Sequence, residues 1–193
     1  MLFSTMRRSD NLDLLFDPSK IPASLQDQLG PDLYLRPLAS TDVARGHFDL
    51  LSVLTSAPCM SAETYENVFK EMKACPNTYF TIVIVHSPTD TVVACGSVVV
   101  ERKFVRNAGL VGHIEDIAVS KSMQGRKLGL KIIDALVQIG RSRGCYKIIL
   151  DCSNSNIPFY EKCGFKQKEY QMVRYMEDPT KIATAVAPIQ SKL

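Results

Sequence analysis

The 193 residues give room for one domain with a core of its own and leave a second one cramped. Apolar residues make up 46% and charged residues 22%, close to the averages for a globular protein, so composition names no function. The net charge of +3 is too small for a general nucleic-acid binder with its strong basic stripe.

Local basic clusters near 102–106, 121–131 and 141–147 suit a small anionic ligand instead. No uncharged apolar run approaches the roughly 20 residues that span a bilayer, and "MLFSTMRRSDNLDLLF" reaches charges before a signal-like apolar core forms. A soluble, cytoplasmic protein is expected. Cys59, Cys75, Cys95, Cys145, Cys152 and Cys163 contain no CxxC pair and mostly stand among apolar residues, which predicts free buried thiols. His113 and Glu115 form H-x-E, but the downstream P-C-x-x-C of a zinc deaminase is missing. No metal is implied.

In chain order, residues 1–30 read as an irregular arm with "DPSKIPASL" as a loop or short helical turn. "LYLRPL" (33–38) predicts a first strand, and Thr41 or Asp42 caps a helix running to about Leu54. "SAETYENVFKEMK" predicts a second helix with Ser61 as N-cap and Glu63 in its first turn. "TYFTIVIVH" and "TVVACGSVVVERKF" follow as strands joined by the turn "SPTD", and "GLVGHIEDIAVS" is a further strand. Leu128, Ile132, Leu136 and Ile139 recur at helical spacing, predicting a helix from about Gly125 to Arg141. "CYKIILDC" predicts a strand, "NIPFYEKCG" a short helix stopped by Gly164, and "FKQKEYQMVRYM" a last strand. The tail 177–193 carries two prolines and no sustained pattern. Hairpins followed by a βαβ crossover imply an α/β or α+β domain, a mixed sheet with helices on both faces, over residues 31–176.

A strand-turn-helix junction is an anion site, because a helix start offers free N–H groups and a positive dipole end. Gly125 and Gly129 admit close backbone approach, and Arg126, Lys127 and Lys131 add charge. Neither GxxxxGK[ST] nor GxGxxG is present. From this turn alone, a plain chain reversal with solvated charges explains the residues equally well.

"IAVSKSMQGRKLG" resembles the pyrophosphate loop of the GCN5-related N-acetyltransferases (GNAT), with Lys127 where that pattern has its first glycine. "ERKF", "GHIEDIAVS", "GCYKIILDCSNSN" and "FYEKCGF", in this order, are similar to the branch of that family that acetylates glucosamine 6-phosphate. The resemblance implies a GNAT fold and acetyl transfer from acetyl-CoA to the sugar amine, a step toward UDP-N-acetylglucosamine, by direct attack in a ternary complex. It places coenzyme A along Ile117, Ala118 and Val119. The pyrophosphate falls over Gln124, Gly125, Arg126, Lys127, Leu128, Gly129 and Leu130, with Asp151, Asn156 and Tyr160 also beside the cofactor.

For catalysis the resemblance implies the Ile117 N–H as donor to the acetyl carbonyl, a strand bulge being able to free it. Tyr160 serves the departing thiolate, and Asp151, at the end of an apolar strand, orients the ammonium. For the sugar phosphate it implies Thr55, Lys103, Phe104, Val105, Arg106, Tyr146, Lys147 and Arg174, and for the sugar Glu115, Asp116 and Ile117. It further implies a homodimer in which Tyr146, Lys147 and Arg174 act in the partner's site. A GNAT enzyme for a protein amine or polyamine, and a non-catalytic coenzyme A-binding module, remain the alternatives.

Overall fold

A computed structural model describes residues 12–54 and 60–176. Five strands form one sheet in the order β1-β2-β3-β4-β5: β1 Leu33–Pro37, β2 Tyr79–His86, β3 Thr91–Arg102, β4 Leu110–Val119 and β5 Cys145–Ile149. The first four pair antiparallel and β5 joins β4 in parallel, so the sheet is mixed. Among the described residues no helix is long and apolar enough to cross a membrane.

Strand β2, apolar but for Thr81 and the terminal His86, is buried from Phe80 to Val85 because both faces of the sheet are covered. Its Ile82 and Ile84 point with Val98 and Ile114 toward one helix, Leu128–Ser142, whose Ile132, Ile133, Leu136 and Ile139 are buried against them. Val83 and Val85 point the other way and join Leu50 and Phe69, from helices His47–Leu51 and Ala62–Lys73. We label these helices in chain order α1 (His47–Leu51), α2 (Ala62–Lys73), α3 (Leu128–Ser142) and α4 (Ile157–Lys162). The period-two alternation of the strand thus feeds two cores, one per face. Loss of a residue such as Ile132 costs about 2 to 5 kcal/mol, the usual toll of an emptied core site. Residues of the expected N-terminal arm contribute as well: Leu15 and Leu25 are buried, and Phe16 meets the Phe80 ring edge-on at 5.1 Å.

Four predicted elements are corrected. The helix expected over 42–54 is a 3-10 turn, Asp42–Arg45, followed by α1, because Gly46 at φ 79° breaks the helical path between them. Asp42 does not cap: its buried carboxylate takes both terminal nitrogens of buried Arg36 at 2.6 and 2.7 Å and the Ala39 N–H at 2.8 Å. The helix expected from Gly125 starts at Leu128, since Gly125 and Lys127 both have positive φ. Strand β5 stops at Ile149 rather than Cys152. Over Phe165–Met176 no strand forms, because among the described residues no segment supplies a ladder for it. Ser61 caps α2 as expected, accepting the Thr64 N–H at 3.0 Å.

Candidate active site

Strands β4 and β5 pair only from Leu110↔Cys145 to His113↔Ile149. Beyond that point β4 continues to Val119 while β5 ends, so residues 114–119 have no neighbouring strand on this edge. On the other edge β3 follows β4 throughout, with one irregularity. Cys95 faces Ala118 and Ser97 faces Glu115, so Asp116 and Ile117 together oppose the single residue Gly96. This is a β-bulge, with Asp116 at φ 57°. A bulge able to free the Ile117 N–H is therefore present, a feature the sequence does not show, and it lies where β4 has lost its outer partner.

Three carboxylates surround the bulge. Burial pushes the Glu115 carboxyl above the usual range, and the charges of Asp116 and Asp151 push it further, against a smaller pull from His113. Asp116 has left the regular pleat and lines a cavity of about 200 Å³ with His47, Tyr65, Thr81 and Ser97 on the α1–α2 side of the sheet. Asp151, two residues beyond β5, is exposed and accepts the Gln171 side-chain N–H at 3.0 Å. Its charge is therefore free of the desolvation cost expected from an apolar strand end.

Strand β4 leads into the predicted anion loop. After a 3-10 turn at Lys121–Met123, Gln124 is extended, Gly125 has φ 83°, and Lys127 has φ 58° and ψ 26° as the residue preceding α3. Lys127 thus holds the left-handed conformation that glycine favours, so the departure from the glycine pattern leaves the loop path intact. The first helical bond here runs from the Lys131 N–H to the Lys127 carbonyl at 3.3 Å. The N–H groups of Leu128, Gly129 and Leu130 precede it and have no carbonyl within the helix. Gly129 is where α4 comes near, a Cβ there standing 3.2 Å from the Phe159 ring.

Arg126 differs from the other loop residues. Its guanidinium turns back to Asp32, with bonds of 2.8 and 2.7 Å, and that pairing holds the Asp32 carboxyl down at about 2. Lys131 donates to the Gln28 carbonyl. Among the described residues Lys127 has no ion-pair or hydrogen-bond partner for its ammonium and is exposed.

Helix α4 carries Tyr160, half-buried and edge-on to Phe159 at 5.0 Å and Phe165 at 6.2 Å. Burial raises its hydroxyl pKa, helped by nearby Cys152 and Cys163, so it keeps its proton. Asn156 stands exposed at the start of this helix.

Of the expected phosphate ligands, Lys103 binds Glu101 at 2.6 Å, and the same carboxylate holds His113 Nε2 at 2.9 Å. Phe104 and Val105 are exposed, and the chain turns through Arg106, Asn107 and Ala108 in three successive positive-φ conformations. The Arg106 guanidinium lies over the Tyr146 ring at 5.9 Å, bringing this loop to β5. Lys147 is exposed on β5, in register with Val111. Arg174 lies in the stretch without a ladder and has no hydrogen bond or ion pair to these residues. Thr55 lies outside the described residues, as do residues 1–11 of the expected arm and the tail 177–193. Asp32, Glu101 and the role of His113 toward Glu101 were not expected. Asp32 meets its partner across 94 positions, which no local pattern marks. The alternation Glu101-x-Lys103 on one strand edge was the one available sign of the other pair.

The sheet that opens beside a bulge and feeds a helix start defines the class: the chain belongs to the acetyltransferase (GNAT) family, whose model matches residues 49–165. Within it, the chain belongs with the glucosamine 6-phosphate N-acetyltransferases. It is 46% identical over 147 residues to glucosamine 6-phosphate N-acetyltransferase 1 of Dictyostelium discoideum, covering 76% of this chain and 93% of that one. The Candida albicans glucosamine 6-phosphate N-acetyltransferase is 41% identical over 138 residues, covering 72% and 92%. The crystal structure of the Arabidopsis thaliana glucosamine-6-phosphate N-acetyltransferase superposes with a TM-score of 0.73 at 38% identity, covering 75% of this chain and 99% of that one.

Proposed function

We propose that this enzyme transfers the acetyl group of acetyl-CoA to the amine of glucosamine 6-phosphate, giving N-acetylglucosamine 6-phosphate and free CoA. The observation that carries the reading is the open edge of β4 at residues 114–119, which begins beside a bulge ringed by carboxylates and ends at a helix start with free N–H groups. An extended ligand with amides along its length and a pyrophosphate at one end matches that track. Ile117, Ala118 and Val119 bind the pantetheine arm, and Gln124 to Leu130 take the pyrophosphate through backbone N–H groups, with Lys127 as the unpaired cation.

The residues divide the chemistry. The Ile117 N–H donates to the thioester oxygen as negative charge develops there. Glu115, Asp116 and Asp151 draw the sugar ammonium to the bulge, and Asp151 accepts its proton directly or through a water. The free amine then attacks the thioester carbon, the C–S bond of the adduct breaks, and Tyr160, which holds its proton, gives it to the leaving thiolate. The second proton of the acetylated nitrogen passes to the Tyr160 oxygen, directly or through a water, leaving a neutral amide. Holding both reactants at the bulge makes the attack effectively unimolecular. Lys103, Arg106 and Lys147, with Tyr146 supporting Arg106, receive the sugar phosphate, and Glu101 keeps Lys103 in place until it arrives. Arg126 serves the loop through Asp32 rather than as a free charge.

A homodimer belongs to the same proposal. Among the described residues the outer edge of β5 has no paired strand, Tyr146 and Ile149 are exposed on β5, and Tyr170, Met172, Val173, Tyr175 and Met176 stand exposed in a stretch without a ladder. A second copy offers that stretch strand partners and cover for its apolar side chains, and carries Arg174 to the neighbouring site. Sedimentation equilibrium should give a dimer, and a fully active monomer in dilute solution would contradict it.

The acceptor is tested by following free-thiol release from acetyl-CoA with glucosamine 6-phosphate, glucosamine, polyamines and a lysine peptide. Turnover is expected with glucosamine 6-phosphate and is expected to be much slower with glucosamine. Turnover confined to a polyamine or peptide overturns the sugar reading and keeps the acetyltransferase.

A further inference from the structure

We infer that Cys95 and Gly96 of β3 are positioning residues for the Ile117 N–H, Cys95 by holding the carbonyl of the same peptide group and Gly96 by leaving a seat for the Ile117 side chain. This rests on the reading of Ile117 as donor to the acetyl oxygen.

The Cys95 thiol is 1% exposed and donates to the Asp116 carbonyl with a separation of 3.6 Å. A bulge leaves such a carbonyl outside the regular ladder, and the thiol supplies it with a partner. The Asp116 carbonyl and the Ile117 N–H belong to one planar peptide, and no peptide bond among the described residues is cis. In a trans peptide these two groups point in opposite directions. Cys95 stands on β3 with its side chain on the α1–α2 face, so a carbonyl directed at it aims the Ile117 N–H away from β3 and from that face, on the side of β4 where β5 has ended. A hydrogen bond to the carbonyl also polarises the peptide and strengthens its N–H as a donor. Burial raises the Cys95 pKa to about 12, so the group remains a thiol with a proton to donate.

Gly96 acts from the other face. A Cβ there stands 2.4 Å from the Ile117 Cδ1, 2.7 Å from the Ile132 Cγ2 and 3.0 Å from the Leu136 Cδ1. The bare backbone of Gly96 is what allows Ile117 to lie back over β3 against α3. Its neighbour Asp116 meanwhile takes the positive φ that rotates the peptide. The two β3 residues thus fix the bulge peptide at both ends, one at its oxygen and one at the side chain that follows its nitrogen.

The test uses the full chain with acetyl-CoA labelled with carbon-13 at the carbonyl, read by infrared difference spectroscopy, together with calorimetric binding and steady-state kinetics. In the native chain the bound thioester carbonyl should absorb at lower frequency than in water. Cys95→Ala should lose part of that shift and about threefold in kcat, with acetyl-CoA affinity within about twofold, the scale of one modest hydrogen bond. Cys95→Ser, which keeps a donor, should recover both, whereas Cys95→Val should not. Gly96→Ala should lose more of the shift, and pairing it with Ile117→Val should return some of it. A role in stability alone would lower Tm in these variants and leave the carbonyl frequency where it was. If the carbonyl shifts in the native chain and is unmoved in Cys95→Ala and Gly96→Ala, the positioning role is overturned while the enzymatic reading stands. If acetyl-CoA does not bind the native chain, both are overturned.

Discussion

Arg126 and Asp32 form a two-pronged ion pair that ties the turn before α3 to the start of β1, with N–O separations of 2.7 and 2.8 Å. The charge nearest the pyrophosphate loop is thereby spent on holding the loop. Either Arg126→Ala or Asp32→Ala should raise the KM for acetyl-CoA about threefold, the range of an exposed but well-oriented pair, and leave kcat nearly unchanged. The Asp32 carboxyl is held at about 2, below its unfolded value, so the pair is intact above pH 4 and separates as pH falls from there toward 2. Steady-state kinetics at saturating sugar phosphate, between pH 6 and 8, should show the same ratio throughout.

Lys127 occupies a left-handed position at φ 58°, a conformation that costs a side chain roughly 1 kcal/mol and glycine nothing. Lys127→Gly should therefore raise Tm by about 2 °C in a calorimetric scan of the ligand-free protein. Lys127→Val, branched at the strained position, should lower it.

Tyr160→Phe should reduce kcat by roughly 10²-fold with little change in either KM, because the hydroxyl is needed only as the thiolate departs. The ring's contacts with Phe159 and Phe165 survive the change, so Tm should hold. An unchanged kcat removes Tyr160 from the mechanism.

Asp151→Asn should depress activity most at the lower end of the pH range, where more of the acceptor amine is protonated. The exposed position of Asp151 makes a folding defect a poor explanation for any loss. A loss equal at every pH would assign it to binding geometry instead.

His47 is buried, and its Nδ1 lies 2.8 Å from the Tyr65 hydroxyl. Burial, with a smaller contribution from Arg36, outweighs the pull of Asp42 and lowers its pKa from 6.5 to about 4. Above pH 6.5 both folded and unfolded chains hold it neutral. As pH falls toward 4 the unfolded chain takes up a proton that the folded one refuses, costing on the order of 2 to 3 kcal/mol. Urea unfolding at pH 7 and pH 4.5 should show this loss, and His47→Asn, which keeps an acceptor for Tyr65, should remove most of the difference.

What was readable in the sequence is what local periodicity and turn chemistry encode. The apolar runs of β2 to β4, the Ser61 cap and the spacing of Leu128, Ile132, Leu136 and Ile139 each follow from neighbours within a few residues. The turn at Gln124–Leu130 was readable for the same reason, while its reading as an anion site came from the family resemblance. What was hidden depends on partners far along the chain. Asp42 looks like a cap until Arg36 is seen beneath it, and Arg126 looks like a ligand charge until Asp32 is seen beside it. Asp151 reads as a buried charge only if β5 is assumed to reach it. The stretch Phe165–Met176 has the composition of a strand, but a strand is a relation between two segments, and among the described residues nothing pairs with it.

The parting of β4 from β5 has a consequence for the lifetime of the molecule. Open sheet edges are where chains associate wrongly, and natural proteins ordinarily cover them. In the proposed reaction the cover is a substrate: the amides of a bound pantetheine arm would bond to the β4 edge, closing the sheet at each round of turnover and laying it bare at each release of CoA. Resistance to aggregation and to proteolysis should then follow the acetyl-CoA supply, making the fuel of the reaction a custodian of the fold that consumes it.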